Sequence, residues 1–234
     1  MTRLLLLSLF IGHLLGDYYF QSPEFALQKN TDWRSWVRHS LIYGTCLLPG
    51  LIVFPGPSFL LGVLGMTVLH AAIDRLKPQL EQRFARRGYI MDQLLHLATI
   101  ALVTGILQDR VEPAHWIPEN RLREVVSMLA MVLFCAKPAN LTIKHLLATF
   151  SPTDKFDETD ESLLHGGQVI GTLERFMVYL LLLVNQWGGV GVVFAAKSIV
   201  RWKNISKDTT EYFLIGTLLS LIFVVAGFYL IYIY

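Results

Sequence analysis

The sequence predicts an all-α, polytopic integral membrane protein of about eight transmembrane helices, and three observations carry that reading. Of its 234 residues, 53% are hydrophobic and only 16% are charged, and the mean hydropathy is +0.48, outside the range of an ordinary soluble domain. Apolar runs of about 17 to 25 residues, the length that crosses a bilayer, recur along the chain. All five tryptophans, Trp33, Trp36, Trp116, Trp187 and Trp202, fall at the ends of those runs, as an interfacial aromatic belt requires.

The runs lie near Leu4 to Phe20, Trp36 to Phe54, Phe59 to Arg75, Met91 to Leu107, Leu122 to Ala136, Gly171 to Gln186, Gly188 to Trp202 and Glu211 to Tyr232. A very short Gly-rich turn joins the sixth to the seventh, so seven spans is the alternative count. The first run carries a single basic residue, Arg3, and no small-residue cleavage site, and it reads as a retained helix rather than a signal peptide. The segment Leu141 to Phe150, with Lys144 and His145, is either a surface helix or a continuation of the fifth helix. Residues 151–167 hold Asp154, Asp157, Glu158, Asp160 and Glu161 and read as a solvated linker. Two domains are expected: a His/Asp-rich four-helix membrane domain over 1–108 and a C-terminal membrane domain over 109–234.

Lysine and arginine set the orientation, because cytoplasmic loops carry their excess. With Arg75, Lys77, Arg83, Arg86 and Arg87 inside, only Arg3, Arg110, Arg121 and Arg123 of the 20 basic residues remain outside. Both termini are then extracytoplasmic, in a bacterial inner membrane. The net charge of +2 and the lack of zinc-finger or RNA-binding spacing exclude nucleic acid as a partner. Cys46 and Cys135 each sit in an apolar run and read as small hydrophobes, not a disulfide.

The chemistry begins at Gly12 to Asp17, where His13 and Asp17 stand four apart and share one face of a helix. The spacing recurs at His70 and Asp74, and in reverse at Asp92 and His96, while His39 opens the second run alone. Adding 57 to His13, Asp17 and His39 gives His70, Asp74 and His96, so the first two helices read as a hairpin duplicated in the next two. Such a repeat places a pseudo-two-fold axis along the membrane normal, with ligands converging on it. The orientation puts all seven residues at a similar depth in the cytoplasmic half.

A buried aspartate costs about 2.5 to 3.5 kcal/mol at a helix centre on insertion scales, so three of them require pairing, neutralisation or a bound cation. Imidazole nitrogen and carboxylate oxygen are ligands of zinc, manganese or iron, and helical residues at i and i+4 can hold one ion together. His13, Asp17, His39, His70, Asp74, Asp92 and His96 are therefore the candidate metal ligands, for one ion with outer partners or for two ions. The competing reading is a set of intramembrane His–Asp hydrogen bonds that join helices, or residues that simply reach water.

A second group lies near the same ends of the distal helices. Lys137, Asn140, Lys144 and Arg175 read as ordinary positive-inside residues, whereas Lys197 and Arg201, four apart, are candidates to hold a substrate phosphate. Glu174 is the candidate proton acceptor. Gly167 and Gly171 suit close helix packing. No Walker motif, dinucleotide fingerprint or serine nucleophile elbow is present.

The runs Gly12 to Gln21, His39-Ser-Leu-Ile-Tyr, His70 to Lys77 and Asp92 to Leu97 resemble a family of bacterial polytopic membrane proteins known only as a domain of unknown function. Gly167 to Arg175 and Ala196 to Arg201 are similar to the distal part of its longer members. A looser similarity, in topology and His/Asp usage, is to membrane-bound metal-dependent hydrolases. The expected function is a membrane-embedded metalloenzyme in which a divalent transition metal, zinc or manganese, activates water to hydrolyse a phosphoester or lipid bond at the cytoplasmic leaflet. Its partner would be a membrane lipid or a phosphorylated small molecule. The alternatives are an ion or small-solute transporter using the same cluster, or a structural or sensor protein. The outer halves of the first four helices hold almost nothing ionisable, which weighs against a through-pathway.

Overall fold

The computed structural model describes residues 1–84, 87–116, 118–150, 161–202 and 207–232, with side chains excepted at 150, 161–165, 200–202 and 207–213. Among these residues every regular element is helical. The chain forms two compact units, Met1–Leu133 and Phe134–Tyr234.

The first unit opens with α1 (Thr2–Leu14), which continues into a π-helical turn over Leu15–Tyr19. The chain then bends by 91° into a short helix α2 (Pro23–Thr31), whose start is fixed by Pro23 at N1 and by the Ser22 hydroxyl accepting from Phe25 N–H at 3.2 Å. Asp32 caps α3 (Trp33–Leu47) by accepting from the N–H groups of Arg34 and Ser35. The Ser35 hydroxyl and those amides hold its carboxyl below the ordinary aspartate range. A 3-10 turn (Leu48–Ile52) leads to α4 (Pro57–Phe84) and then α5 (Gly88–Leu107). Pro78 lies inside α4 and has no N–H to offer the carbonyl one turn back, at Asp74.

α1 packs on α3 and α5, and α4 packs on the same two, which closes a ring of four helices. α1 and α4, related by the 57-residue offset, stand across one diagonal; α3 and α5 stand across the other. The outward faces carry Leu61, Leu64 and Val68 of α4 and Leu102 and Ile106 of α5, all exposed, while the inward faces carry the histidines and aspartates. That is the reverse of a soluble bundle, whose polar face turns outward.

Two glycines set the approach of α1 to α3. A Cβ at Gly12 would lie 2.5 Å from Leu47 Cδ2 and 3.1 Å from the Cys46 carbonyl, and one at Gly16 would lie 2.8 Å from Tyr43 Cδ2 and 3.2 Å from its Cα. Small residues four apart allow such contact between helices. Gly16→Val is expected to destabilise the unit by about 1–3 kcal/mol through overpacking, measured by thermal unfolding in detergent. Gly65→Val, which points into open space, is its silent control.

The second unit comprises the end of α6 (Glu119–Cys135), then α7 (Lys137–Phe150), α8 (Glu161–Leu183), α9 (Trp187–Trp202) and α10 (Lys207–Tyr232). α6 and α7 form one 31-residue helical stretch, Glu119–Thr149, so Leu141 to Phe150 continues the fifth predicted helix. Residues 161–167 of the expected linker belong to α8; Asp154, Asp157, Glu158 and Asp160 lie outside the described residues. Gly167 meets nothing within 4 Å, and Gly171 meets only Arg175 Nη1 of its own helix. Among the described residues neither glycine marks the close packing expected there. Cys46 and Cys135 are unpaired.

Among the described residues five helices, Pro57–Phe84, Gly88–Leu107, Glu119–Thr149, Gly166–Leu183 and Leu214–Tyr232, are long and apolar enough to cross a membrane, and six if the bent pair Thr2–Tyr19 and Pro23–Thr31 is one span. Eight were expected. The difference lies in α3, whose α-helix stops after 15 residues where Pro49 follows, and in α9, an apolar helix of the shorter class. α2 has no counterpart among the predicted runs, because its apolar residues are too few.

Candidate metal centre

The inward faces of the four-helix ring meet in one cluster of imidazoles and carboxylates. His13 comes from α1, Asp17 from the π-helical turn, His39 from α3, His70 and Asp74 from α4, Asp92 and His96 from α5. Six of the seven are buried, and the Asp17 side chain is 7% exposed. The π turn matters because it re-aims the backbone at Asp17, which lies within 3.9 Å of all four histidines, a recurrent use of such insertions.

Two nitrogens, Nε2 of His39 and Nε2 of His70, are each approached by the same two carboxylate oxygens, Asp17 Oδ1 and Asp74 Oδ2. The two nitrogens are 3.0 Å apart. His39 Nε2 lies 3.2 Å from Asp17 Oδ1 and 3.3 Å from Asp74 Oδ2, and His70 Nε2 lies 3.4 and 3.2 Å from the same oxygens. Zinc binds such donors at about 2.0–2.2 Å, which for tetrahedral geometry puts ligand atoms about 3.3–3.6 Å apart. The observed separations reach that range from just below it.

Hydrogen bonding around the four atoms points the same way. His96 Nδ1 lies 2.9 Å from the Asp92 carbonyl, which can only accept, so that nitrogen carries the proton. In the neutral ring His96 Nε2 is then an acceptor, and it meets His70 Nδ1 at 2.9 Å. His70 Nδ1 is thereby the donor, and its Nε2 turns a lone pair toward Asp17, Asp74 and His39. That lone pair calls for a proton or a cation: His39 Nε2, 3.0 Å away, can donate the first, and an ion held by these side chains would supply the second. A ligating histidine that donates from its other nitrogen into a fixed chain is also what metal centres use to orient the ring.

Further contacts lock the cluster. The Tyr43 ring stacks on His70 with centroids 3.6 Å apart and planes at 5°, and His13 stacks on His96 at 5.3 Å. Lys29 of α2, itself buried, donates to both oxygens of Asp74 at 2.9 Å. Lys77 lies 3.3 Å from Asp92 Oδ2, and Gln93 donates to the same oxygen at 3.1 Å while accepting from the Tyr18 hydroxyl at 2.6 Å. Asp17 Oδ1, Asp92 Oδ1, His13 Nδ1 and His39 Nδ1 are buried without a hydrogen-bond partner.

All seven sequence candidates come together, but in layers. His13 Nδ1 is 3.6 Å and His96 Nε2 is 3.9 Å from Asp17 Oδ2, and Asp92 is engaged by Lys77 and Gln93. Three overlapping groups have donor atoms mutually within 4.8 Å: His13, Asp17 and His70; His39, His70 and Asp74; Asp74, Asp92 and His96. His39, isolated in sequence, is at the middle. Lys29, Lys77, Tyr43, Gln93 and Tyr18 were not anticipated as parts of the site. Lys29 and Lys77 had been counted only toward orientation, and nothing in the pattern separates a lysine turned inward from one in a wet loop.

In the second unit Glu174 is ion-paired with Lys197, so the candidate proton acceptor and one candidate phosphate ligand neutralise each other. The Arg201 side chain lies outside the described residues. Arg175, read from sequence as an ordinary basic residue, is buried. It donates from Nε to the Cys135 carbonyl at 2.6 Å, from Nη1 to Ser220 at 3.1 Å, and from Nη2 to Asn140 and, at 3.2 Å, to Thr172. One guanidinium thus ties the end of α6 to α7, α8 and α10.

No curated protein and no solved structure matches the chain. A family model matches residues 5–122, half of the chain and the half that holds all seven cluster residues. The chain belongs to the family described as protein of unknown function DUF3307.

Proposed function

We propose that this protein is a membrane-embedded metal protein in which Asp17, His39, His70 and Asp74 hold one divalent transition ion, zinc or manganese. The observation that carries the reading is that two imidazole nitrogens, 3.0 Å apart, each lie within 3.4 Å of the same two carboxylate oxygens. The donor set of nitrogen and oxygen suits those ions. His13, Asp92 and His96 form the surrounding layer that fixes rings and carboxylates. In this reading the short helices α3 and α9 also cross the bilayer of a bacterial inner membrane, giving eight crossings. The basic residues then place both termini outside and the centre in the cytoplasmic half.

The activity we assign is hydrolysis of a phosphoester or lipid bond at the cytoplasmic leaflet. A divalent ion bound there supplies Lewis-acid polarisation and an activated water. A divalent ion there would meet the oxygens of an anionic phosphate. Asp17, His39, His70 and Asp74 would hold the ion, and water would reach it only where one of these carboxylates did not ligate. Transport of the ion is the second reading. It is favoured by the broken first span, since helices interrupted at a buried ion site are a feature of transporters.

The test is elemental analysis of protein purified without chelator, followed by two assays on the loaded protein. The expected result is about one zinc or manganese per chain and phosphate released from phosphatidic acid vesicles. Ion flux into reconstituted vesicles, lost in Asp74→Asn and without phosphate release, would favour transport. Protein that neither carries nor takes up a divalent transition ion would refute both.

A further inference from the structure

The cluster already contains a cation, carried on a short helix in which it is the one fully buried side chain. Of the nine residues of α2 only Lys29 is buried, and its ammonium sits 2.9 Å from each oxygen of Asp74. With its amide turned to satisfy both neighbours, Gln21 donates to the Asp17 carbonyl at 3.0 Å and accepts from Lys29 at 3.2 Å. Apart from Lys29, α2 lies mainly along α3. Phe25 meets the edge of His39 with centroids 6.1 Å apart, and Arg38 lies over the Phe25 ring at 5.6 Å. Leu27 is 73% exposed. A nine-residue helix with one fully buried side chain opens at lower cost than the four long helices beside it, and α2 follows the 91° bend in the first span.

Charge makes Lys29 a rival of the metal. Asp17, Asp74 and Asp92 carry three negative charges, and Lys29 and Lys77 return two. A divalent ion added to that set leaves one positive charge in excess, whereas an ion that takes the place of Lys29 leaves the centre neutral. A buried centre strongly favours neutrality, because charge is poorly solvated there. Asp74 Oδ2 is moreover shared: it serves Lys29 and is also one of the four atoms that converge with His39 and His70.

From these contacts we infer that Lys29 is the resident counter-cation of the centre and that α2 is its door. This rests on the metal reading above and adds its regulation. Ion and ammonium compete for Asp74, so arrival of the ion releases Lys29 and with it α2, and loss of the ion lets α2 redock. Release of α2 also exposes the centre to water on its side and frees an ammonium to meet an anionic substrate. The opposite role is a supporting one, in which Lys29 holds Asp74 in position for the ion, and losses of that kind weaken metal binding about 10–100-fold.

Two measurements on the full detergent-purified chain decide between them. Zn2+ affinity is read by competition with a chromophoric chelator, for the natural chain and for Lys29→Met. The rival role predicts at least about tenfold tighter binding in the variant, whereas weaker binding overturns it. On the natural chain, trypsin cleavage after Lys29 reports whether that side chain has left its site. Zn2+ is expected to speed this cut relative to a chelator-treated sample, and a slower or unchanged cut overturns the door. If neither chain binds Zn2+, the metal centre itself falls, and that result is distinct from tight binding that leaves α2 docked.

Discussion

His70→Ala is expected to empty the metal centre, lowering Zn2+ affinity by more than the roughly hundredfold that loss of a supporting partner costs. His70 is the residue on which most contacts converge. Its Nε2 meets His39, Asp17 and Asp74 within 3.4 Å, its Nδ1 anchors His96, and its ring lies flat on Tyr43. Alanine removes a ligand, breaks the chain that orients His96 and takes an imidazole from both Asp17 and Asp74. An ion present at a hundred times its dissociation constant stabilises the folded state by about 2.7 kcal/mol. The natural chain should therefore melt higher with Zn2+ than with chelator, and His70→Ala should show no such difference. Tyr43→Phe keeps the stacked ring and should keep the ion. A His70→Ala protein that retains the metal and its thermal shift would remove His70 from the centre.

Arg175→Leu carries the largest expected effect in the second unit. The guanidinium satisfies the Cys135 carbonyl, Ser220, Asn140 and Thr172 at once, and Asn140 and Thr172 also bond one another at 3.0 Å. Leucine leaves the first two acceptors without that partner and half-satisfies Asn140, at about 1–3 kcal/mol for each buried group stranded. Relief from burying a charge offsets part of this. The net expectation is a loss of about 3 kcal/mol or more, read by thermal unfolding of the purified chain. Arg175→Lys should fall nearly as far, because one ammonium does not reproduce the fork that reaches four acceptors. Since every partner belongs to the second unit, Zn2+ content should be unchanged, and full stability of both variants would show that the network is dispensable.

How much of this was legible from residue order depends on the kind of signal. The i, i+4 spacing of His13 with Asp17 and of His70 with Asp74 is a local, helical statement, and it survives into the structure because both pairs do face the ring axis. The 57-residue offset joined His39 to the set although it has no local partner, since duplication carries information that periodicity does not. The layering within the cluster was not legible: only the packing of four helices decides that His39 Nε2 reaches Asp17 Oδ1 while His96 stays behind His70. The π-helical turn at Asp17 was equally hidden, because one inserted residue leaves the hydrophobic pattern of α1 nearly intact. Lys29, Lys77 and Arg175 escaped because a basic residue near the end of an apolar run reads as a topology signal whether its side chain turns outward or inward. α2 escaped because a nine-residue helix that buries one lysine has no amphipathic stripe to find.

The central claim is the coordination itself, and X-ray absorption at the zinc K-edge of the Zn2+-loaded chain tests it most directly. Four nitrogen and oxygen ligands at about 2.0–2.2 Å, with the outer-shell signature of two imidazoles, is the result that Asp17, His39, His70 and Asp74 predict. A six-coordinate, all-oxygen shell without imidazole scattering, or a spectrum unchanged in His70→Ala, would contradict it.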